Sequence, residues 1–171
     1  MTPIQECIKN KNIKIKPIWL MRQAGRYLPE FREIRSKNPD FIKLCLNENL
    51  SSKITIQPID RFKFDAAIIF SDILMLPYGL GQEVKFEKNF GPKLGDLNLD
   101  VLLKTNEDDF SSKLNSIYKL ISKVSKDPIL KNRDLIGFVG APWTILVYMI
   151  NKLSPKKGLN ENFFKDKILI K

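Results

Sequence analysis

Three short runs of uncharged, apolar residues, separated by longer helical stretches, define the fold that this sequence can adopt. They cover residues 18–21, 66–70 and 135–139. Runs of this length are typical of strands buried on both faces of a sheet. Strands that alternate with helices favour parallel pairing through right-handed crossovers. The pattern predicts an α/β fold, either a doubly wound sheet or a (β/α)8 barrel.

Two helices are predicted between these strands. The first covers residues 48–62 behind a capping residue, Asn47, and Pro58 is expected to kink it or to mark its last turn. The second covers residues 107–124, capped by Thr105 or Asn106. Its apolar residues recur at steps of three and four: Phe110, Leu114, Ile117, Ile121 and Val124. The alternating stretch 83–90 predicts a small hairpin or an edge strand.

The length of the chain bears on the choice of fold. The chain has 171 residues, whereas a (β/α)8 barrel usually takes about 250. Three strands by residue 139 fill less than half of such a barrel, and residues 160–171 begin a further helical pattern without a stop signal. We therefore expect a single, incomplete domain over residues 1–171.

Arginine is concentrated around the first predicted strand. Four of the six arginines lie within residues 17–35, in a chain whose other positive charges are nearly all lysine. A guanidinium binds carboxylate or phosphate in a bidentate manner, so Arg22 and Arg26 predict an anion-binding loop. Gly25 between them allows a positive φ or a close backbone approach, which would aim both side chains inward. Salt bridges from this pair to Glu30 and Glu33 are an equally good interpretation.

Two further polar residues follow the other predicted strands. Asp72 lies just beyond the second strand, where a carboxylate is either a turn cap or a functional acceptor. If Arg22 and Arg26 face the same cavity, Asp72 is placed to receive N–H donors or to stabilise a developing cation. After the third strand, Pro142 suits the first turn of a helix. Trp143 and Tyr148 on that helix are either core residues or, for Tyr148, a phenol that reaches a polar cavity.

The composition excludes several classes of site. The chain has no histidine, which rules out Ser-His-Asp and Cys-His sites, histidine zinc sites and imidazole proton shuttles within these residues. Cys7 and Cys45 match no metal spacing and indicate a reduced cytoplasmic setting. We therefore expect no metal site.

Charge and hydropathy also limit the partners. The net charge is +10, but the lysines are scattered without aromatic residues between them, which indicates a solvated surface rather than a nucleic-acid groove. The amino terminus lacks a secretion signal. The longest uncharged run, residues 135–150, is split by Gly140 and Pro142 and is too short for a membrane span. A cytoplasmic protein without a nucleic-acid or membrane partner is predicted.

Three segments together resemble one family. They are MRQAGRYLPEFR at residues 21–32, DAAIIFSDIL at 65–74 and GFVGAPWT at 137–144. In sequence, order and spacing they are similar to the amino-terminal half of the uroporphyrinogen decarboxylase family. The resemblance implies a (β/α)8 TIM barrel, present here only as its amino-terminal half, and a homodimer when the chain is full length. It also implies removal of CO2 from the four acetate arms of uroporphyrinogen III to give coproporphyrinogen III, without metal or prosthetic group.

The resemblance also implies roles for individual residues. Arg22 and Arg26 match carboxylate-binding arginines, and the loop between them, with Gln23, Ala24 and Gly25, lines the substrate. Asp72 matches the aspartate that gathers the pyrrole N–H groups and stabilises the cationic intermediate. Tyr148 matches a tyrosine that contacts the substrate. Serine and histidine positions that the family uses belong to its carboxyl-terminal half.

Other interpretations stay open. The chain could be an inactive fragment, or one half of a split enzyme that needs a complementary chain. A related barrel methyltransferase with a corrinoid partner is less consistent with the Arg22–Arg26 loop and Asp72. A basic nucleic-acid-binding module is the weakest alternative.

Overall fold

The computed structural model describes residues 1–10, 16–87, 90–154 and 158–159. The described residues form a mixed α/β structure with the following elements: α1 (Pro3–Asn10), α2 (Pro29–Lys37), α3 (Phe41–Cys45), α4 (Glu48–Phe62), β1 (Ala66–Ile68), α5 (Met75–Gly79), β2 (Val84–Glu87), β3 (Gly91–Leu94), α6 (Leu99–Lys104), α7 (Glu107–Lys113), α8 (Asn115–Ser125), a 3-10 turn (Pro128–Leu130), β4 (Asp134–Ile136) and α9 (Pro142–Asn151). None of the described helices is long and apolar enough to cross a membrane. The predicted helix at residues 160–171 lies outside the described residues.

The chain divides into two compact units. The first contains Met1–Asp72 and Asn115–Phe138, and the second contains Ile73–Leu114 and Val139–Lys171. A single domain, and a closed barrel, stay predictions.

The first unit is built on a parallel pair of strands. In β1 and β4, Ala66 lies opposite Asp134 and Ile68 opposite Ile136. The predicted parallel pairing of the second and third apolar runs is therefore confirmed, although both strands are shorter than predicted. Helices α4 and α8 pack together beside the pair, and the buried core joins helix, strand and turn residues: Ile59, Ala67, Ile69, Leu120, Val124 and Leu130.

The prediction of a strand at residues 18–21 is wrong. These residues have no strand pairing, and their large side chains are 41–72% exposed. Within this run, Ile18 alone hydrogen-bonds to Asp65, the described residue just before β1: its N–H donates to the Asp65 carboxylate at 2.7 Å, and its carbonyl accepts from the Asp65 N–H at 2.9 Å. A strand needs a series of backbone hydrogen bonds to a neighbouring strand, and residues 18–21 have one backbone–backbone hydrogen bond, from the Asp65 N–H to the Ile18 carbonyl, within the part of the chain that the structure describes.

The predicted helix over residues 107–124 is two helices. Asn106 caps α7, as predicted, by accepting from the Asp109 N–H. Leu114 then leaves the helical conformation at φ −102° and ψ 7°, and α8 begins at Asn115. This break shifts the phase of the apolar face, so Leu120 is buried and Ile121 is exposed. The helix over residues 48–62 is confirmed, with Asn47 as its cap and Pro58 inside it near the end.

The second unit contains a hairpin packed beside helices. Val84 pairs with Leu94 and Glu87 with Gly91 in the antiparallel pair of β2 and β3, which confirms the predicted hairpin. The buried Gln82 amide donates to the carbonyls of Gly95 and Met149, both at 2.9 Å, and so ties the hairpin segment to α9. Helix α9 begins at Pro142, as predicted.

Candidate functional site

The loop that carries Arg22 and Arg26 is fixed to the first unit by its own side chains. Gln23 is only 3% exposed, and its Nε2 donates to the Ala66 carbonyl of β1 at 2.8 Å. The Tyr27 hydroxyl donates to the Gln23 carbonyl. The Leu28 N–H donates to the Gly25 carbonyl at 3.0 Å, and Leu28 itself is buried. The loop is irregular in shape, but its backbone is held in place.

The guanidiniums of Arg22 and Arg26 lie exposed on this loop. Neither makes a hydrogen bond or an ion pair with any residue that the structure describes. The alternative interpretation, salt bridges to Glu30 and Glu33, is wrong, because Glu30 pairs with Arg61 and Glu33 pairs with Lys37 at 2.9 Å. The hydrogen bond from Arg61 lowers the pKa of Glu30, and the one from Lys37 lowers the pKa of Glu33. Both glutamates are therefore already engaged as anions.

The two remaining arginines of the cluster have local structural partners. Arg32 Nη1 donates to the Arg26 carbonyl at 2.9 Å. Arg35 Nη1 donates to the Asn38 carbonyl at 2.5 Å, and its guanidinium lies 5.6 Å from the centre of the Phe41 ring. No pattern in the sequence assigns Arg32 to the loop, yet its side chain supports the backbone of Arg26.

Gly25 is not among the residues with positive φ, so that one of its two predicted roles is wrong. A Cβ on Gly25 would lie 3.6 Å from the Tyr27 ring, an ordinary contact distance. Its neighbour Ala24 packs against the buried cluster that contains Leu28 and Phe31. The other predicted role, a close approach of a ligand to the backbone, stays a prediction.

Asp72 lies at the end of a second fixed segment, which continues from β1. The Phe70 N–H donates to Thr55 Oγ1 of α4 at 3.0 Å, and the Phe70 ring packs edge-on against Phe31 and Phe41, each with centroids 5.8 Å apart. Asp72, two residues further, is half-buried. The Asp72 segment thus follows β1 directly along the chain. The arginine loop is attached to the same strand by the hydrogen bond from Gln23 to the Ala66 carbonyl.

Cys45 on α3 is influenced by the Asp72 charge. The thiol is fully buried, and this burial raises its pKa well above the usual range. The negative charge of Asp72 raises the pKa further, while Arg35 opposes the rise. Burial is the larger of these causes.

Tyr148 belongs to the second unit. It is half-buried on α9, between the buried residues Val147 and Met149. Trp143 in the first turn of this helix is 63% exposed, so the interpretation of Trp143 as a core residue is wrong. The structure therefore groups Arg22, Gln23, Ala24, Gly25, Arg26 and Asp72 in one unit and places Tyr148 in the other. Among the described residues, no group of three or more histidine, cysteine or acidic side chains could hold a metal ion.

Comparison with known proteins gives one consistent result. Residues 1–162 match the family model described as uroporphyrinogen decarboxylase (URO-D). The chain is similar to proteins named uroporphyrinogen decarboxylase from three bacteria. The identity is 42% for Rickettsia felis over 100% of the chain, 47% for Rickettsia canadensis over 84%, and 45% for Campylobacter jejuni over 93%.

The alignments cover most of this chain but only about half of each relative. The aligned residues make up 49% of the Rickettsia felis protein, 42% of the Rickettsia canadensis protein and 48% of the Campylobacter jejuni protein. The chain thus spans about half the length of the curated relatives that it matches. Within that half, the family model covers the arginine loop, Asp72 and Tyr148 alike, and the chain belongs to the uroporphyrinogen decarboxylase family.

Proposed function

We propose that this chain supplies the amino-terminal part of a uroporphyrinogen decarboxylase active site. The reaction removes CO2 from the four acetate arms of uroporphyrinogen III and leaves coproporphyrinogen III. The observation that carries the proposal is the fixed loop with two exposed guanidiniums, Arg22 and Arg26, that pair with none of the described residues. The full site would lie at the end of a (β/α)8 barrel, in a cytoplasmic homodimer.

The loop suits a substrate with several carboxylate arms. Each arginine can hold one carboxylate through two parallel N–H donors, which also fixes its orientation. At 4 Å and an effective dielectric near 20, such a contact has about 4 kcal/mol of Coulomb energy before desolvation is subtracted. The Gln23 side chain fixes the loop through its hydrogen bond to the Ala66 carbonyl. Gly25 would leave room for the macrocycle to approach the backbone. Tyr148 would contact the substrate from α9.

Asp72 suits the chemical step. Decarboxylation needs an electron sink, and protonation of a pyrrole carbon creates one by placing a cation beside the departing carboxylate. A carboxylate near the ring N–H groups stabilises this cation, and it does so best when it is already in position. The fixed segment before Asp72 provides that position. In this mechanism no metal or prosthetic group is required.

Turnover is expected only when the other half of the relatives' length is also present. Parallel strands that lack their neighbours leave unpaired backbone groups along the sheet edges, and the first unit has only the pair of β1 and β4 among the described residues. We therefore expect the isolated chain to bind the substrate weakly and to turn it over poorly or not at all.

Binding by the chain itself tests the proposal. The probe is uroporphyrin III, the oxidised and fluorescent form of the substrate, titrated into the 171-residue chain. We expect saturable binding that weakens at least about tenfold when Arg22 and Arg26 are both changed to alanine, because two charge-assisted contacts are lost. The control changes Lys119 and Lys126, both exposed on or just after α8, to alanine, which removes the same net charge. Equal weakening in both double variants would overturn the proposal.

A further inference from the structure

Thr55 forms a connection between α4 and the segment that leads to Asp72. The side chain is 1% exposed. Its hydroxyl donates to the Ser51 carbonyl at 2.8 Å, within the same helix, and accepts from the Phe70 N–H at 3.0 Å. The first bond is common for threonine in a helix. The second leaves the helix and reaches the chain just beyond β1.

This bond takes over where the strand pairing ends. The Ile69 N–H still donates to the carbonyl of Ile136, the last residue of β4, at 3.0 Å. Phe70 is the next residue, and its N–H bonds to Thr55 instead of to a strand. A backbone donor in a partly buried segment needs an acceptor, so Thr55 extends by one residue the length of chain that is held in place.

The Phe70 side chain is also fixed, by packing against two other aromatic rings. Its ring lies between those of Phe31 and Phe41 in two edge-on contacts. Only Ser71 separates this fixed residue from Asp72. A displacement of Phe70 would therefore pass directly to the carboxylate, and misplacement of a reacting group by about 1 Å can cost roughly a hundredfold in rate.

We propose that Thr55 is a positioning residue for Asp72. It does not touch the substrate: it fixes the Phe70 backbone from which the Asp72 segment extends. The inference rests on the proposed function, because it depends on the role of Asp72 in the chemical step. The arginine loop is fixed by a separate bond, from Gln23 to Ala66. Loss of the Thr55 acceptor should therefore lower kcat and leave KM nearly unchanged.

The variants separate the acceptor from the packing. Thr55→Val keeps the shape and removes the hydroxyl, Thr55→Ser keeps the hydroxyl, and Thr55→Ala is a second way to remove it should the valine variant not fold. The matched control is Ser52→Ala on the same helix. Ser52 is 4% exposed and bonds only within α4, to the Glu48 carbonyl at 2.5 Å, among the described residues.

Amide hydrogen exchange on the 171-residue chain tests the anchor without any assay of activity. We expect exchange at Phe70 to quicken at least about tenfold in Thr55→Val and Thr55→Ala, since the hydroxyl that accepts from that N–H is removed. Thr55→Ser and Ser52→Ala should exchange like the unchanged chain. Unchanged protection of Phe70 in both acceptor-free variants would overturn the proposal.

Kinetics test the catalytic consequence. The enzyme is a chimera in which residues 1–162 of this chain replace the matching segment of the Campylobacter jejuni relative. We expect Thr55→Val to lower kcat about ten- to a hundredfold at a similar KM, with Thr55→Ser restoring it. A kcat equal to that of Ser52→Ala would overturn the role of Thr55. Full activity of an Asp72→Asn chimera would instead refute the proposed function, so the two failures are distinguishable.

Discussion

Replacement of Arg26 by lysine tests whether the loop recognises a substrate carboxylate by its shape or only by its charge. Lysine keeps the positive charge but loses the two-pronged geometry that matches a carboxylate. In the chimera, we expect Arg26→Lys to raise KM for uroporphyrinogen roughly 10- to 100-fold, the range of a charge-assisted hydrogen bond, with little change in kcat. Steady-state kinetics measure both constants.

The control for this prediction is Arg61→Lys. Arg61 already pairs with Glu30, and both side chains are substantially exposed, so its replacement should leave KM unchanged. If Arg26→Lys and Arg61→Lys had the same small effect, charge alone would explain the arginine loop.

Asp72 is expected to act in the chemical step rather than in substrate binding. Asp72→Asn keeps the size of the side chain and removes its charge. We expect kcat of the chimera to fall at least about a hundredfold, because a preorganised group that stabilises developing charge is lost. The urea unfolding midpoint should shift little, since the segment is held at Phe70. Near-normal turnover by this variant would contradict the role of Asp72.

Cys45 links the stability of the first unit to pH. Its thiol ionises near pH 8.5 in an unfolded chain, whereas burial and the Asp72 charge raise the pKa in the folded protein. The Cys45 thiol therefore stays protonated to a higher pH in the folded state than in the unfolded state. The stabilisation is fully present below about pH 8.5 and decreases above it, by up to about 1.4 kcal/mol per pH unit.

Urea unfolding at several pH values between 7 and 9.5 measures this dependence. The unfolding free energy should decline above about pH 8.5 in the unchanged chain and decline less in Cys45→Ala. Parallel pH profiles for the two proteins would show that Cys45 does not titrate on unfolding as expected.

Among the helices and strands, close contacts between neighbouring elements limit which side chains can replace glycine. Gly79 at the end of α5 lets that helix approach α7: a Cβ there would lie 2.6 Å from the Phe110 ring and 3.1 Å from the Leu114 side chain. Gly79→Ala should therefore destabilise the second unit by about 1–3 kcal/mol, as overpacking commonly does. Thermal unfolding measures the loss.

The control for Gly79 is Gly137→Ala. An added Cβ at Gly137 would have nothing within 4 Å, and Gly137 is not among the residues with positive φ. Its melting temperature should stay within a degree or two of the unchanged chain, or rise slightly. Equal destabilisation in the two variants would mean that the close approach of α5 and α7 has no energetic importance.

The elements also show what the sequence could predict. The predicted parallel pairing of the second and third apolar runs is confirmed over residues 66–68 and 134–136, because local hydrophobicity and a strand partner coincide there. Residues 18–21 have the same hydrophobicity, but the described residues offer a partner only at Ile18. Likewise, periodicity alone could not show the break at Leu114, because an apolar face can continue across two helices with a shifted phase.

The candidate site was predictable in its charged residues and not in its supports. Arginine clustering pointed to Arg22 and Arg26, and the position after a strand pointed to Asp72. Gln23, Arg32 and Thr55 act through backbone carbonyls and amides of distant or neighbouring segments. Such bonds depend on tertiary geometry, which leaves no pattern in the sequence.

For the molecule as a whole, we propose that this chain carries the arginine loop and Asp72 of a uroporphyrinogen decarboxylase site. Membership of the family is established by the match over residues 1–162. The relatives are about twice as long as the aligned region, so the claim concerns what this half contributes when the other half is present.

Anaerobic conversion of uroporphyrinogen III by the chimera is the decisive measurement. We expect coproporphyrinogen III to form at a kcat/KM within about tenfold of that of the Campylobacter jejuni parent, since this chain would supply an equivalent loop and carboxylate. Circular dichroism and unfolding of both proteins show whether the chimera is folded. A folded chimera that converts no more uroporphyrinogen than its Asp72→Asn variant would contradict the account.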